Sequence, residues 1–498
     1  MRASHWGSWM CLGLAVWGCG GSQEGETPLA AEQTREVNAQ ACPVGVASRV
    51  KVVHPPGPTT YATLNELTDV QGKLYFTTLS GPSNNTGATL WSSDGTEAGT
   101  VRVRAFGESI SRLEELVAVG NKLFFQFYEP NTDTEQLWAS EGTSGTTRFV
   151  KAFTSDVYID SMIHPTTVNG RLLFFHPIAE TETEPFRVEL WRSDGTDVGT
   201  RRVGNFSEYI AGFNLPEPLL AGNALLFIRI QDSGTSLWRT DGTVAGTRSL
   251  MQLDAGRASL HEVGRAGSLG LFTLYDFPNY EFWKTDGTEA GTVRLESFGH
   301  SVRLLGVLDG GVYLSSVEEA TQRVSIHRLS LNGGEKTRVT TLPNNDTGLY
   351  TYVQRATVSG GRIYFSVAFV GEGSEPERVE LWALQGASSA SRPTRLFSSL
   401  SRGDVFTSSP LFATGEGPVL FTGSSTGLSA EPWFTRGTVA TTGQLADIGP
   451  GLTGSATQEF VRVGSRVYFP ATDDTGLPQL WSVPASFTCP AGLSQTQE

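Results

Sequence analysis

The 498-residue sequence is poor in charge: only 18% of it is Asp, Glu, Lys or Arg, and 51 acidic side chains outnumber 37 basic ones. A formal net charge of −14 excludes nucleic acid as a partner, because phosphate binding draws its affinity from Lys and Arg. Catalytic signatures are missing as well. No GxxxxGK[ST], HExxH or CxxC segment occurs, which removes the P-loop, the helical zinc protease and the paired-thiol site. The seven histidines, at 5, 54, 164, 176, 261, 300 and 327, are not paired at ligand spacing, so no metal and no cofactor is expected. His54 and His176 each precede a proline and are expected in loops. GSSTG at 423–427 matches GxSxG, yet it sits between VLF and EPW in a hairpin pattern, whereas a nucleophile elbow needs a strand turning into a helix. No catalytic residue is assigned. Helical periodicity is absent over any run of about a dozen residues, which excludes helical solenoids. At 39% hydrophobic and 10% aromatic residues the chain still has ample material for a core, and its length calls for several domains or for repeats.

The single apolar run, Trp9 to Trp17 after Arg2, is too short to span a bilayer as a helix of about 20 residues and reads as an export signal. Val16, Trp17, Gly18 and Cys19 resemble a bacterial lipobox. The resemblance implies a signal peptide over 1–18, cleavage before Cys19 and acylation of its thiol; ordinary signal cleavage nearby is the alternative. Residues 19–41 hold no aromatic residue and no hydrophobic period, and read as a disordered tether. Gly20 stands where inner-membrane lipoproteins usually carry Asp, so an outer-membrane or surface location is expected, with lipid as the only membrane contact. Cys42 and Cys489 are the remaining thiols of the folded part, and export to an oxidising space makes a disulfide between them the expectation, against two free thiols.

Tryptophan reveals the architecture. Beyond the signal it falls at Trp91, Trp138, Trp191, Trp238, Trp283, Trp382, Trp433 and Trp481, in steps of 47, 53, 47, 45, 99, 51 and 48, so one rung is missing near 328. The text around the rungs recurs: LWSSDGTEAGT from Leu90, LWRSDGTDVGT from Leu190, LWRTDGTVAGT from Leu237 and FWKTDGTEAGT from Phe282, with weaker copies from Leu137 and Pro432. A second element precedes each rung: GKLYF at 72, NKLFF at 121, GRLLFF at 170, NALLF at 223, GRIYF at 361 and SRVYF at 465. With the unit around GGVYL at 310, which lacks Trp, there are nine units of short β-type runs divided by Gly, Asn, Asp and Pro. Neighbours on a strand point to opposite faces, so LYF and LW need cover on both sides. Small sheets stacked around an axis provide it. The expected fold is therefore an all-β propeller of about nine four-stranded blades over 42–498, with eight blades plus one unit, or two smaller rings, as alternatives. The last unit stops after QLWSVPASFTCP without a fourth strand, and RVKVVH at 49–54 precedes the first, so the final blade is expected to draw on both termini. Asp94–Gly95, Asp194–Gly195, Asp241–Gly242 and Asp286–Gly287 are assigned to the turn between third and fourth strands, with Asp accepting backbone N–H groups and Gly supplying positive φ, rather than to metal binding.

These residues resemble the ELWxxDGT repeat family of exported bacterial proteins, with Glu189 and Glu380 supplying the first letter in full. The resemblance spans most of 50–483 and implies propeller-like repeats; the family offers no common catalytic residue. Two acidic clusters, Glu180, Glu182 and Glu184, and Glu372, Glu375 and Glu377, fall between second and third strands and are expected at solvated loop tips. The function expected is a monomeric, non-catalytic envelope scaffold whose loop faces bind a protein or glycan. The alternative is an exported propeller hydrolase or lyase acting on polysaccharide, with acids, His or Tyr from several blades converging at the axial mouth.

Overall fold

The computed structural model describes residues 46–488 apart from 56–60, 83–85, 108–111, 154–161, 179–186, 207–208, 212–217, 232–233, 254–257, 277–278, 345–347, 373–375, 387–391, 399–409, 425–428, 450 and 452–453. Cys19, Cys42, Cys489, the signal, the tether, Ser425 and the cluster Glu180 to Glu184 lie outside the described residues, as does Glu375.

Nine antiparallel sheets follow one another along the chain as blades 1 to 9. Blade 1 is typical: Tyr61–Val70, Lys73–Gly81, Gly87–Ser93 and Val101–Phe106 are neighbours in space in the order of the chain. In blade 4 the first strand is split into Tyr209–Ala211 and Leu219–Ala221, which pair with the same second strand. First strands of consecutive blades pack on one another, so they are innermost. Blade 9 takes three strands from the C-terminal end, Val461–Val463, Arg466–Thr472 and Pro478–Pro484, and its fourth, Ser48–Lys51, from the other end. Ser48 lies opposite Ser482 and Arg49 opposite Trp481. The expected nine-bladed propeller with a shared terminal blade is the observed one. Among the described residues the only helical turns are two of three residues each, and no helix is long and apolar enough to cross a membrane.

The core is not at the axis. Buried apolar side chains form nine separate clusters, one between each pair of neighbouring blades. The adjacent-apolar text maps directly onto this division. Leu74 and Phe76 face the interface of blades 9 and 1 while Tyr75 between them faces blade 2, and Leu90 and Trp91 part in the same way. Leu381 and Trp382 repeat the split in blade 7. Truncating one of these fully buried Leu or Phe side chains to Ala costs about 2–5 kcal/mol. Second and third strands are pinned by ring contacts across the ladder: Phe76 stacks on Trp91 at 5.9 Å and Phe272 on Trp283 at 6.1 Å.

Blade 6 fills the missing rung. His327 lies opposite Leu314 as Trp283 lies opposite Phe272, and the register shifts beside both residues on the fourth-strand side. Ser316 Oγ is 2.9 Å from His327 Nε2, and burial pushes the half-buried imidazole down to about 4, so it stands uncharged at neutral pH. His176 departs from the loop expected of it. It is buried within Arg171–Ile178, opposite Glu189, because the first strand's pairing reaches only Phe175; beyond that point Pro177 can lack an N–H without breaking a ladder.

Gly95 and Gly72 share a left-handed backbone, φ 91° and 85°, but a Cβ on Gly95 would overlap the Tyr468 hydroxyl across the blade 9–blade 1 seam, whereas one on Gly72 meets open space. Gly72→Ala should therefore cost about 1 kcal/mol of backbone strain, and Gly95→Ala about 1–2 kcal/mol more through overpacking. Urea unfolding of the two variants measures the difference. Adding Tyr468→Phe to Gly95→Ala should return part of it.

Candidate functional site

The repeated residues are consumed by the scaffold. In blade 1 the Asp94 carboxylate accepts the Thr96 N–H at 2.9 Å and the Thr96 hydroxyl at 2.7 Å, Thr96 Oγ1 accepts the Gly99 N–H, and Ser93 and Thr100 hydroxyls meet at 2.7 Å. The same set recurs at Asp194, Asp241 and Asp286. The Thr96 N–H holds the Asp94 carboxyl below its usual range, and the hydroxyls of Thr196, Thr243 and Thr288 do so for the other three. All four lie in the turn between third and fourth strands, as expected. Among the described residues no group of three or more His, Cys, Asp or Glu could hold a metal ion.

The remaining letters of the motif have partners too. Glu189, Glu281 and Glu380 accept the indole N–H of Trp191, Trp283 and Trp382 at 2.9, 3.1 and 3.1 Å, and each also pairs with an Arg of the fourth strand, Arg202, Arg294 and Arg395. Gln136, Ser236 and Thr78 serve Trp138, Trp238 and Trp91. The indole N–H groups of Trp433 and Trp481 are buried without a partner among the described residues. There the residue two places earlier is diverted: Glu431 accepts the N–H groups of Ile448 and Gly449, and Gln479 those of Val53 and His54. The residue after Trp ties one blade to the next, Arg192 donating to the Gly242 carbonyl at 3.0 Å and Arg239 to that of Gly287 at 2.9 Å.

Because the strands run up and down, connections fall on two faces. One face carries the tight turns between first and second strands, such as Gln71–Gly72 and Asn169–Gly170, together with the Asp–Gly–Thr turns. The other carries the connections between second and third strands and between blades, which differ in length and sequence from unit to unit. Glu372 and Glu377 belong to this second face and are exposed, in keeping with solvated tips.

The functional candidates missed at the sequence level are on the innermost strands. These strands are bulged, and the bulges of blades 1, 2, 3 and 5 hold Glu66, Glu115, His164 and His261. Glu66, Glu115 and His164 have φ of 61°, 57° and 50°. A bulge leaves backbone N–H groups without a ladder partner, and the preceding blade supplies a carboxylate. Glu459 Oε1 accepts the Leu67 N–H at 3.0 Å, Glu66 Oε2 the Leu116 N–H at 3.0 Å, and Glu262 Oε2 the Leu304 N–H at 3.2 Å. Burial raises the Glu66 carboxyl, and burial together with the Glu66 charge pushes Glu459 up to about 7. The one signal for these residues was the recurrent Glu-Leu of NELT and EELV.

Beside this chain of acids a cleft of about 350 Å³ opens between blades 1 and 2, towards the variable face. Tyr61, Asn65, Glu66, Arg112, Glu114 and Glu115 line it. Arg112 is held by Glu135 at 3.4 Å and Glu114 at 3.8 Å, and lies 5.1 Å over the Tyr128 ring.

No protein-family model matches the chain, and no curated protein matches it. Among solved structures it is similar to one from a study of two prolyl endopeptidases, at 12% identity over 75% of this chain and 54% of that one, TM-score 0.41. It is also similar to the β-propeller domain of the trilobed protease from Pyrococcus furiosus (10%, 78% and 99%, 0.35) and to TolB from Acinetobacter baumannii (11%, 75% and 78%, 0.29). The chain spans about half the length of the peptidases it matches. At such identities no residue role passes from them to this chain.

Glu459 makes stability depend on pH. Its folded pKa of about 7 lies above the ordinary 4.5, so the folded state binds the proton more tightly; the resulting stabilisation is complete below about 4.5 and is lost as pH rises through 7. Glu459→Gln keeps the acceptor for Leu67 without the charge. It should gain stability relative to the unsubstituted protein on going from pH 5 to pH 8, by about 1–3 kcal/mol. Thermal melts across that range provide the measurement.

Proposed function

We propose that this chain is an exported, lipid-tethered β-propeller that binds a protein or glycan partner through its variable face without acting on it chemically. The observation that carries the reading is the division of labour between the two faces. Repeated Asp, Thr, Glu and Trp groups are spent inside and between blades, while sequence free of that duty collects on one side of the ring, where a rigid scaffold presents it. The resemblance of the repeats to the ELWxxDGT family and of Val16 to Cys19 to a lipobox supports export and attachment at the outer membrane. A disulfide between Cys42 and Cys489 is part of the proposal. Its support is the pairing of Ser48 with Ser482, since Cys42 stands shortly before the one and Cys489 shortly after the other, on antiparallel strands leaving the same end.

One observation favours a second reading, an enzyme acting on polysaccharide. Glu459, titrating near 7 beside the Glu66 charge, has the acidity a general acid needs, and His164 and His261 stand at matching bulges of other blades. The hydrogen bonds of both carboxylates to backbone N–H groups of the next blade weigh toward a structural role.

Incubation of the mature protein with a glycan panel separates the readings: saturable binding without product is expected, and released fragments lost in Glu459→Gln would establish the enzyme. Cys19→Ser should abolish labelling by a fatty-acid analogue and release the protein from the membrane fraction. Cys42→Ser should expose one free thiol, measured under denaturing conditions, that the unsubstituted mature protein lacks.

A further inference from the structure

We propose that the cleft between blades 1 and 2 is a subsite for an uncharged sugar residue, an inference that rests on the reading of the propeller as a binding scaffold. Its volume of about 350 Å³ lies at the lower end of the range of small-molecule sites and suits a short stretch of glycan rather than a folded surface.

Two wall residues have nothing else to do. Tyr61 is 46% exposed at the start of the innermost strand of blade 1, and neither its ring nor its hydroxyl has a partner among the described residues. Several other tyrosines are engaged: Tyr75, Tyr364 and Tyr468 are buried between blades, Tyr275 and Tyr280 pack together at 4.7 Å, and Tyr128 lies under Arg112, while Tyr350, 61% exposed at the start of the innermost strand of blade 7, does not line this cleft. Asn65, four residues further along the same strand, is exposed, and among the described residues its carboxamide makes no hydrogen bond. An unstacked aromatic face beside a free amide matches a pyranose, which offers a flat C–H surface and a rim of hydroxyls that both donate and accept.

The charged groups of the cleft select against other ligands. Three carboxylates, Glu66, Glu114 and Glu115, face one guanidinium, so uronate, sulfated or phosphorylated sugars are repelled. A cationic ligand is not what remains, because Glu66 already accepts the Leu116 N–H and Glu114 already pairs with Arg112. The groups left open, Tyr61 and Asn65, are both neutral.

The test titrates the mature protein, solubilised in detergent, with neutral hexose and N-acetylhexosamine oligosaccharides, an oligogalacturonate and a lysine-rich peptide. At least one neutral oligosaccharide should bind and the oligogalacturonate should not. Tyr61→Ala should weaken that binding tenfold or more and Asn65→Ala several-fold, Tyr61→Phe should retain most of it, and melting temperatures should stay unchanged. Neutral-sugar binding indifferent to Tyr61→Ala and Asn65→Ala overturns the site and leaves the scaffold reading standing. Peptide or oligogalacturonate binding that depends on Tyr61, or no neutral binder at millimolar concentration, overturns the ligand class. Cleavage of the panel is the separate result that removes the scaffold reading itself.

Discussion

Each blade has two apolar faces, and that single constraint organises the molecule. A sheet carrying Leu74, Tyr75 and Phe76 in succession cannot turn either side to water, so it is stable only between two others. Nine blades satisfy the condition only if the ninth also covers the first. The cluster that joins Val50, Leu64, Phe76 and Trp91 to Tyr468 and Leu480 is of the same kind as the other eight, and the fourth strand of blade 9 comes from the opposite end of the chain. Closure thus removes the last wet face, and ring integrity depends on pairing residues more than 400 positions apart.

The repeated motif is the device that makes such stacking possible with short, similar units. Asp and Thr fasten the turn from within, Glu holds the indole, the basic residue after Trp reaches the next blade, and the turn glycine leaves room for an aromatic or aliphatic side chain of the preceding one. Since these contacts are local or between neighbours, a unit can decay without loss of the ring. Blade 6 shows this, with His327 standing neutral on the tryptophan rung. Trp433 and Trp481 show the cost of reassigning one letter: their indole N–H groups find no partner among the described residues because Glu431 and Gln479 hold other parts of the chain.

Much of this was legible beforehand for a physical reason. Turn chemistry and two-sided burial are written at fixed spacing, so the Trp ladder, the position of the Asp–Gly–Thr turn and the divided last blade could all be read from residue order. The candidate site was less legible. Acids clustered in sequence, such as Glu372 and Glu377, stand exposed at a connection, whereas the carboxylates of the innermost strands are single residues from different units. Glu459, Glu66 and Glu115 are separated along the chain by whole blades, and only closure makes Glu459 a neighbour of Glu66. Bulges also escape a reading based on alternation, since they insert residues whose side chains break the period.

Residue order by itself determined the strand-turn-strand repeat, its number of units, the two greasy faces of every blade and the division of the closing blade between the termini. Local spacing and side-chain character are sufficient for those, because each involves residues within one repeat or a requirement for cover common to all repeats. Tertiary structure alone decided which carboxylate answers which bulge, that a histidine takes the place of a tryptophan, that Glu459 titrates near 7, and that Tyr61 and Asn65 share a cleft with residues of the next blade. Those outcomes arise from burial and proximity across interfaces, which no single repeat contains.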